Sequence, residues 1–534
     1  LAKLIVAAGA DALHVDAGCH ENWPNAMPPA GMQQMTLQSR SAKIIRSVVD
    51  VPVMTHGRFG DVDKATDSYD TVEWLVKHIP GNNGRVGFAG CSYPGFYALM
   101  GALSGHPAVK AVSPQAPVTD WYMGDDVHHN GILMLSDAVR FLHSMNTPPE
   151  GTPRRELTLS PDERTFFLEH PARADLTKLL APNAFWEEMS GHPDYDEWWR
   201  ARDTRRACYN IRPAMLVVGG TYDAEDCYGA WNLYRAVVRQ SSPTPVHLVV
   251  GPWAHGAWTG DGRKLGAYDF GEQASGKHYM ENFEAPFFDC YLWARDTVDR
   301  LPPVAVFTSG DDRWHTFDRW TPAGARRMTL YLADGGRLTE ERPTAKNSST
   351  GYLSDPADPV PYVETSGTRR PKEYMVADQR FLAGRKDVLT FVTEPLTEDM
   401  TLVGPVEAAL ETALSTSDAD FVVKLIDCFP DGGEQRLVRG DAVRGRYRDG
   451  FTRPKAFSPG RPECVRLRTT DIAHTFRAGH RIMVQVQSSW FPLTERNPQQ
   501  YVDLWRCAAS DFVPCRVTLF HQRDRASSVS VLKL

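Results

Sequence analysis

The chain has no long apolar run, no excess of positive charge and no paired cysteines, and each absence removes a class of function. No uninterrupted apolar stretch is long enough to span a bilayer, so a membrane partner is not expected. Lys and Arg number 59 against 66 Asp and Glu, for a net charge of −7. No basic stripe offers itself to a phosphate backbone, and nucleic acid is not an expected partner. The nine cysteines are scattered, with no Cys-x-x-Cys pair. That pattern gives neither a zinc site nor a dense disulfide framework, and the odd count leaves one thiol or more unpaired. There is no internal repeat and no low-complexity tract. The first residue is Leu1 and no signal-peptide pattern follows it. The start therefore reads as incomplete, and the compartment is not legible from it.

What the chain does contain falls into two textures. Its 534 residues, 42% apolar and 23% charged, suit an ordinary globular protein of about two or three domains. Residues 63–300 alternate helix-like and strand-like runs, which predicts an α/β domain on a largely parallel sheet. In YDTVEWLVKH (69–78), Val72, Leu75 and Val76 share one helical face. Buried-strand candidates are 86–89, 214–218 and 246–250. An insert at about 118–210, rich in Trp, Arg, Glu and Pro, has helical stretches without strand periodicity. It predicts a helical cap over the carboxyl edge of the sheet. From 301 to 534, short strand-like runs (304–307, 328–332, 481–487) alternate with Gly, Pro and Asp clusters, which predicts an all-β sandwich.

The densest chemical signal is Gly90-Cys91-Ser92-Tyr93-Pro94-Gly95, set between an apolar run and a helix-like run. A serine on a sharp strand-to-helix turn has its hydroxyl raised above the sheet, within reach of a base and a substrate. Such a serine needs a histidine to take its proton and an acid to orient that histidine. Strand 214–218 leads into Gly219-Gly220-Thr221-Tyr222-Asp223, and strand 246–250 into Gly251-Pro252-Trp253-Ala254-His255. The order Ser92, Asp223, His255, each just after a strand, is the one that α/β-hydrolases use. Asp223 also suits the cap of the helix expected at 228–238, and His255 could be a plain loop histidine. His128 and His129 lie beside Asp125 without a further ligand set, so they read as cap packing and no metal is expected.

Long ordered phrases then carry a resemblance. YDTVEWLVKHIPGNNGRVGFAGCSYPGFYALMGALSGHPAVKAVSPQAPVTDWYMGDDVHHNG, GGTYDAEDCYGAWNLYRA, GPWAHG and AHTFRAGHRIMVQVQSSWFPLTERNPQ cover much of residues 66–534. They resemble the cocaine esterase and X-Pro dipeptidyl-peptidase (S15, CocE/NonD) serine hydrolases. Within these, the α-amino-acid ester hydrolases and glutaryl-7-aminocephalosporanic-acid acylase-like enzymes are the most similar. The resemblance implies an α/β-hydrolase domain with a helical cap, a C-terminal jelly roll, and a triad of Ser92, His255 and Asp223. It implies one oxyanion donor from the Tyr93 backbone N–H, and no cofactor. It also implies a carboxylate cluster of Asp126, Glu225 and Asp226 that receives the α-ammonium group of a small ester or amide substrate. Glu225 and Asp226 would equally suit the first turn of a helix. Members are often homo-oligomeric and often periplasmic or secreted. A general esterase or an X-Pro dipeptidyl-peptidase-like hydrolase is the alternative within the family.

Residues 1–62 do not fit this plan. GADALHVDAGCHENW, MPP and VVDVPVMTHGRFGD resemble a fragment of the barrel of flavin-dependent enoate reductases (the old yellow enzyme group). A barrel needs eight strands, so this piece cannot form a flavin site alone. In the hydrolase family several strands precede the YDT helix and supply a tyrosine as second oxyanion donor. No matching tyrosine is found here. An inactive truncated hydrolase and a flavin oxidoreductase fragment are the readings from other classes.

Overall fold

The computed structural model describes residues 13–15, 53–55, 62–145, 157–295 and 301–534. A six-stranded sheet carries the first large domain. Its strands are β1 (Val86–Cys91), β2 (Val109–Gln115), β3 (Ala214–Gly220), β4 (Val246–Gly251), β5 (Val304–Thr308) and β6 (Arg313–Phe317), and they lie side by side in chain order. All neighbours pair parallel except β5 with β6. Four consecutive parallel steps place every carboxyl end from β1 to β5 on one edge, where α/β sheets build their sites.

The apolar runs are continuous because both faces of the sheet are covered. Met215 and Val217 of β3 pack into one core with Val112, Leu248 and Val250, while Leu216 and Val218 enter the opposite core with Ala111 and Val249. Helices α1 (Val62–His78), α2 (Tyr93–Leu103) and α4 (Cys227–Gln240) supply the first of these covers through Val72, Leu99, Trp231, Leu233 and Val237. The described part of 118–210 is a run of helices, of which α3 is Leu135–Ser144. It also holds a two-residue hairpin, His128–His129 against Ile132–Leu133, too short to leave a periodic signal.

The chain beyond β6 is the expected all-β domain, a twelve-stranded hydrogen-bonded system wrapped around one core that includes Leu330, Leu402, Phe421, Val484 and Val529. One assignment differs. Residues 304–307, placed with the sandwich by their texture, are β5 of the hydrolase sheet, pairing Val304 with Leu248 and Val306 with Val250. A short apolar run does not tell a parallel strand from a sandwich strand. Of the reductase-like segment, Leu13–Val15 and Val53–Thr55 form a separate two-stranded parallel sheet. The rest of that resemblance lies outside the described residues.

Candidate active site

Three loops converge at the carboxyl edge. Ser92 links β1 to α2 at φ 69° and ψ −125°, a left-handed backbone that residues with a Cβ adopt at a cost of about 1–3 kcal/mol. The turn is so tight that a Cβ on Gly90 would lie 2.5 Å from Pro94, and one on Gly95 2.4 Å from the Gln115 carbonyl. Both positions therefore require glycine. The Ser92 N–H donates to that same carbonyl at 2.9 Å and ties the elbow to β2. Tyr93 opens α2, so its N–H is one of the first-turn donors with no partner inside the helix.

Asp223 follows β3 and is buried. Its Oδ1 accepts the backbone N–H groups of Glu225 at 2.8 Å and Asp226 at 3.0 Å, and its Oδ2 meets His255 Nδ1 at 2.9 Å. One carboxylate oxygen thus holds the turn ahead of α4 and the other orients the histidine, while the N-cap position of α4 falls on Asp226, so Asp223 does not fill the capping role its place in the sequence also suited. With Nδ1 donating to Asp223, Nε2 of a neutral His255 is left as the acceptor. The Ser92 hydroxyl hydrogen-bonds Asp226 Oδ2 at 3.4 Å, and none joins it to His255 among the described residues. The carboxylate nearest Nε2 is Glu225, with Oε2 at 3.6 Å. Such catalytic contacts commonly tighten only with substrate in place.

The cluster predicted from Asp126, Glu225 and Asp226 is assembled around this point. Asp126 takes φ 49° and donates its N–H to the Glu225 carbonyl at 3.0 Å, which locks the cap loop to the acid loop. Burial, with the neighbouring charge of Glu225, pushes the Asp126 carboxyl well above its usual range, and burial with Asp126 and Asp125 does the same for Asp226. Burial also raises Glu225. Asp126 Oδ2 and Asp226 Oδ1 are buried with no donor among the described residues. Burial alone would lower His255, but Asp223, Glu225 and Asp126 outweigh it and hold the imidazole up at about 10. Burial pushes Asp223 up as well, yet His255 and the two backbone donors carry it below its ordinary value. Cys91, next to the serine, is pushed up to about 12 by burial, then by Asp223 and Glu225, so its thiol stays protonated and is a poor nucleophile.

Sequence reasoning missed the residues that brace this arrangement from a distance. Arg370, from the β-domain, places Nε on both oxygens of Asp137 at 2.8 and 2.6 Å, and Nη2 on Glu225 Oε1 at 3.0 Å. It lies in Arg369-Arg370-Pro371-Lys372, which locally reads as a solvated basic loop. Arg439 donates to the Thr221 carbonyl at 2.6 Å, two residues before Asp223. Asp125 accepts from the Thr119 N–H and hydroxyl, the Asp120 N–H and the Gly229 N–H, all within 2.9 Å. His128 donates to no carboxylate among the described residues. Its Nδ1 meets the Trp121 carbonyl at 3.2 Å, and burial drops it to about 3, so it stays neutral. His129 pairs with Asp441 at 3.4 Å.

The sheet order, the elbow after β1 and the acid and histidine loops after β3 and β4 define an α/β-hydrolase bearing a cap and a β-domain. Residues 53–257 match the X-Pro dipeptidyl-peptidase (S15 family) model, and residues 296–516 match the X-Pro dipeptidyl-peptidase C-terminal non-catalytic domain. The chain is 30% identical over 464 residues to a cocaine esterase from Rhodococcus sp., covering 82% of this chain and 78% of that protein. It belongs to the S15 (CocE/NonD) hydrolase family, which has esterase and peptidase members. Among solved structures, an aminopeptidase from a marine sediment Thaumarchaeota archaeon superposes with TM-score 0.83 at 35% identity, over 88% of this chain and 80% of that one. An α-amino acid ester hydrolase superposes with TM-score 0.80 at 34% identity and the same coverage. A separate match joins 67 residues, 12% of this chain, to 10% of a cinnamate reductase from Clostridium sporogenes at 40% identity. Among the described residues no helix is long and apolar enough to cross a membrane.

Proposed function

We propose that the chain is a serine hydrolase of small esters and amides whose acyl part carries an α-ammonium group, acting through an acyl-enzyme on Ser92. The observation that carries this is the partly buried cluster of Asp126, Glu225 and Asp226 beside Ser92 and His255, which holds two orphaned carboxylate oxygens. Buried carboxylates this close are costly to ionise together, and a cation that hydrogen-bonds them removes that cost.

In this mechanism His255 Nε2 takes the Ser92 proton as Oγ attacks the carbonyl. Asp223 holds the ring through Nδ1 and stabilises the imidazolium that forms. The Tyr93 N–H meets the developing oxyanion at the positive end of α2. The leaving alcohol or amine departs with the proton from His255, and water releases the acyl group by the reverse sequence. The second oxyanion donor that the family resemblance implies is a tyrosine ahead of α1, and residues 1–62 of this chain contain no tyrosine. His255 must be neutral to act as base, while the cluster holds it protonated. An arriving ammonium offsets that anionic field, so the correct substrate also frees the base. The aromatic rings of Tyr93, Trp121 and Phe141, with centroids 5.7 and 6.3 Å from Tyr93, give the acyl side chain an apolar wall.

The test is kcat/KM for phenylglycine methyl ester against its des-amino analogue. The amino ester is expected to be hydrolysed at least tenfold better, and Asp226→Asn to remove most of that preference. Equal rates, unchanged by Asp226→Asn, reject the ammonium pocket and leave a general esterase. An X-Pro dipeptidyl-peptidase would instead prefer a Gly-Pro anilide, whose ammonium lies one residue further from the scissile carbonyl.

A further inference from the structure

Five carboxylates (Asp126, Asp137, Asp223, Glu225 and Asp226) stand around His255 or one contact away, and one guanidinium reaches in among them. Arg370 comes from the β-domain, is 7% exposed, and bridges Asp137 of the cap helix α3 to Glu225 of the acid loop. Its Nη2 occupies Glu225 Oε1, while the other oxygen of that carboxylate faces His255 Nε2 at 3.6 Å. Nε2 is the atom that must receive the Ser92 proton, so Glu225 competes with Ser92 for it. A buried arginine held on two carboxylates is always charged and has little freedom to leave.

We propose that Arg370 is a specificity-determining residue that spends the charge of Glu225, so that the substrate ammonium is met by Asp126 and Asp226 and His255 is not trapped as imidazolium by Glu225. The proposal rests on the ammonium-pocket reading above and refines it. Asp126 and Asp226 are the members with orphaned oxygens, whereas both oxygens of Glu225 face a cationic partner. The groups facing His255 are Asp223, Glu225, Asp226 and Asp126, all acidic. Those facing Glu225 are His255, Asp137, Asp223 and Arg370, of which only Arg370 carries a fixed positive charge. Without it Glu225 is free to serve either His255 or a second cation.

The test uses the intact chain and the ratio of kcat/KM for phenylglycine methyl ester to that of its des-amino analogue. Arg370→Met is expected to raise the ratio about fivefold or more. It is also expected to move the acid limb of kcat/KM for the des-amino ester to higher pH. Arg370→Lys, which keeps a cation but not the two-carboxylate bridge, should fall between wild type and Arg370→Met, and Arg370→Met with Glu225→Gln should return both readouts toward wild type. A lost brace between cap and β-domain would lower both substrates together and shift neither ratio nor limb. Glu225→Gln, which leaves the Arg370–Asp137 pair intact, keeps the question open to measurement if Arg370→Met does not fold. It is expected to cost less than about threefold in the ratio, against more than about tenfold for Asp226→Asn. A wild-type preference that Arg370→Met leaves unmoved, or a loss in Glu225→Gln as large as in Asp226→Asn, overturns the assignment of Arg370 alone. Equal wild-type rates for the two esters overturn the ammonium pocket, and this assignment with it.

Discussion

At the scale of residues, His255, the base in the proposed mechanism, is surrounded by acids, and that sets its pH behaviour. Anionic neighbours raise the proton affinity of the imidazole, which is held at about 10 by Asp223, Glu225 and Asp126 against the lowering effect of burial. A base works in its neutral form, so the raised value moves the acid limb of activity upward and leaves less active enzyme at neutral pH. The kcat profile reports the enzyme–substrate complex. It is expected to fall off at lower pH for an α-amino ester than for the des-amino ester, because the bound ammonium offsets the cluster. Superimposable kcat profiles would contradict this. Glu225→Gln removes a carboxylate that raises His255 and should lower the acid limb of kcat/KM, which reports the free enzyme; an unmoved limb would contradict this. Ser92, Asp223 and His255 were legible because each follows a strand in a fixed order. Arg370 was not, because its partner Glu225 is 145 positions away and no local pattern marks a contact of that span.

At the scale of elements, the elbow depends on two glycines whose missing side chains are required by backbone atoms 2.4–2.5 Å away. Gly95→Ala is expected to destabilise the chain by about 3 kcal/mol or more, read from denaturant unfolding, and to abolish reaction at Ser92. A stable, reactive Gly95→Ala protein would mean the turn is looser than described. The strand leading into the elbow is also uneven. β3 is buried at every position, whereas β1 shows no fully buried residue and is the last strand on its side of the sheet among the described residues. Amide exchange along β1 is accordingly expected to be at least about tenfold faster than along β3. Equal protection would show that another segment covers that edge. The strand–elbow–helix unit was readable because turn chemistry and apolar runs are local. The placement of β5 was not, since Val304, Ala305 and Val306 would serve a sandwich strand equally well and only pairing with Leu248, Val249 and Val250 decides.

At the scale of the whole molecule, the β-domain and the hydrolase domain share both a core and a polar seam. Tyr222, Ala254 and Phe307 pack with Tyr374, Val422 and Trp490 in one apolar cluster behind the acid loop. Beside it, Ser309 at the end of β5 meets His474 Nδ1 at 2.8 Å. His474 Nε2 reaches Asp427 at 3.2 Å, and His480 reaches the other oxygen of Asp427 at 2.8 Å. The set has the residue types of a triad, but Ser309, His474 and Asp427 are each 3% exposed or less, so it fastens the domains together. His474→Ala leaves a buried hydroxyl and a buried carboxylate short of partners, and is expected to cost about 2–4 kcal/mol in denaturant unfolding. A change below about 0.5 kcal/mol would show that the seam is not a fastening. The two-domain plan was visible from the change of texture near residue 300, whereas this seam, built from the four separate residues Ser309, Asp427, His474 and His480, was not. What the assembled chain does at Ser92 is tested most directly by a fluorophosphonate probe, with the modified peptide mapped by mass spectrometry. The expected result is stoichiometric labelling of Ser92 that is lost in Ser92→Ala and strongly slowed in His255→Ala. Labelling of Ser92→Ala equal to wild type, or none in either, would contradict the account.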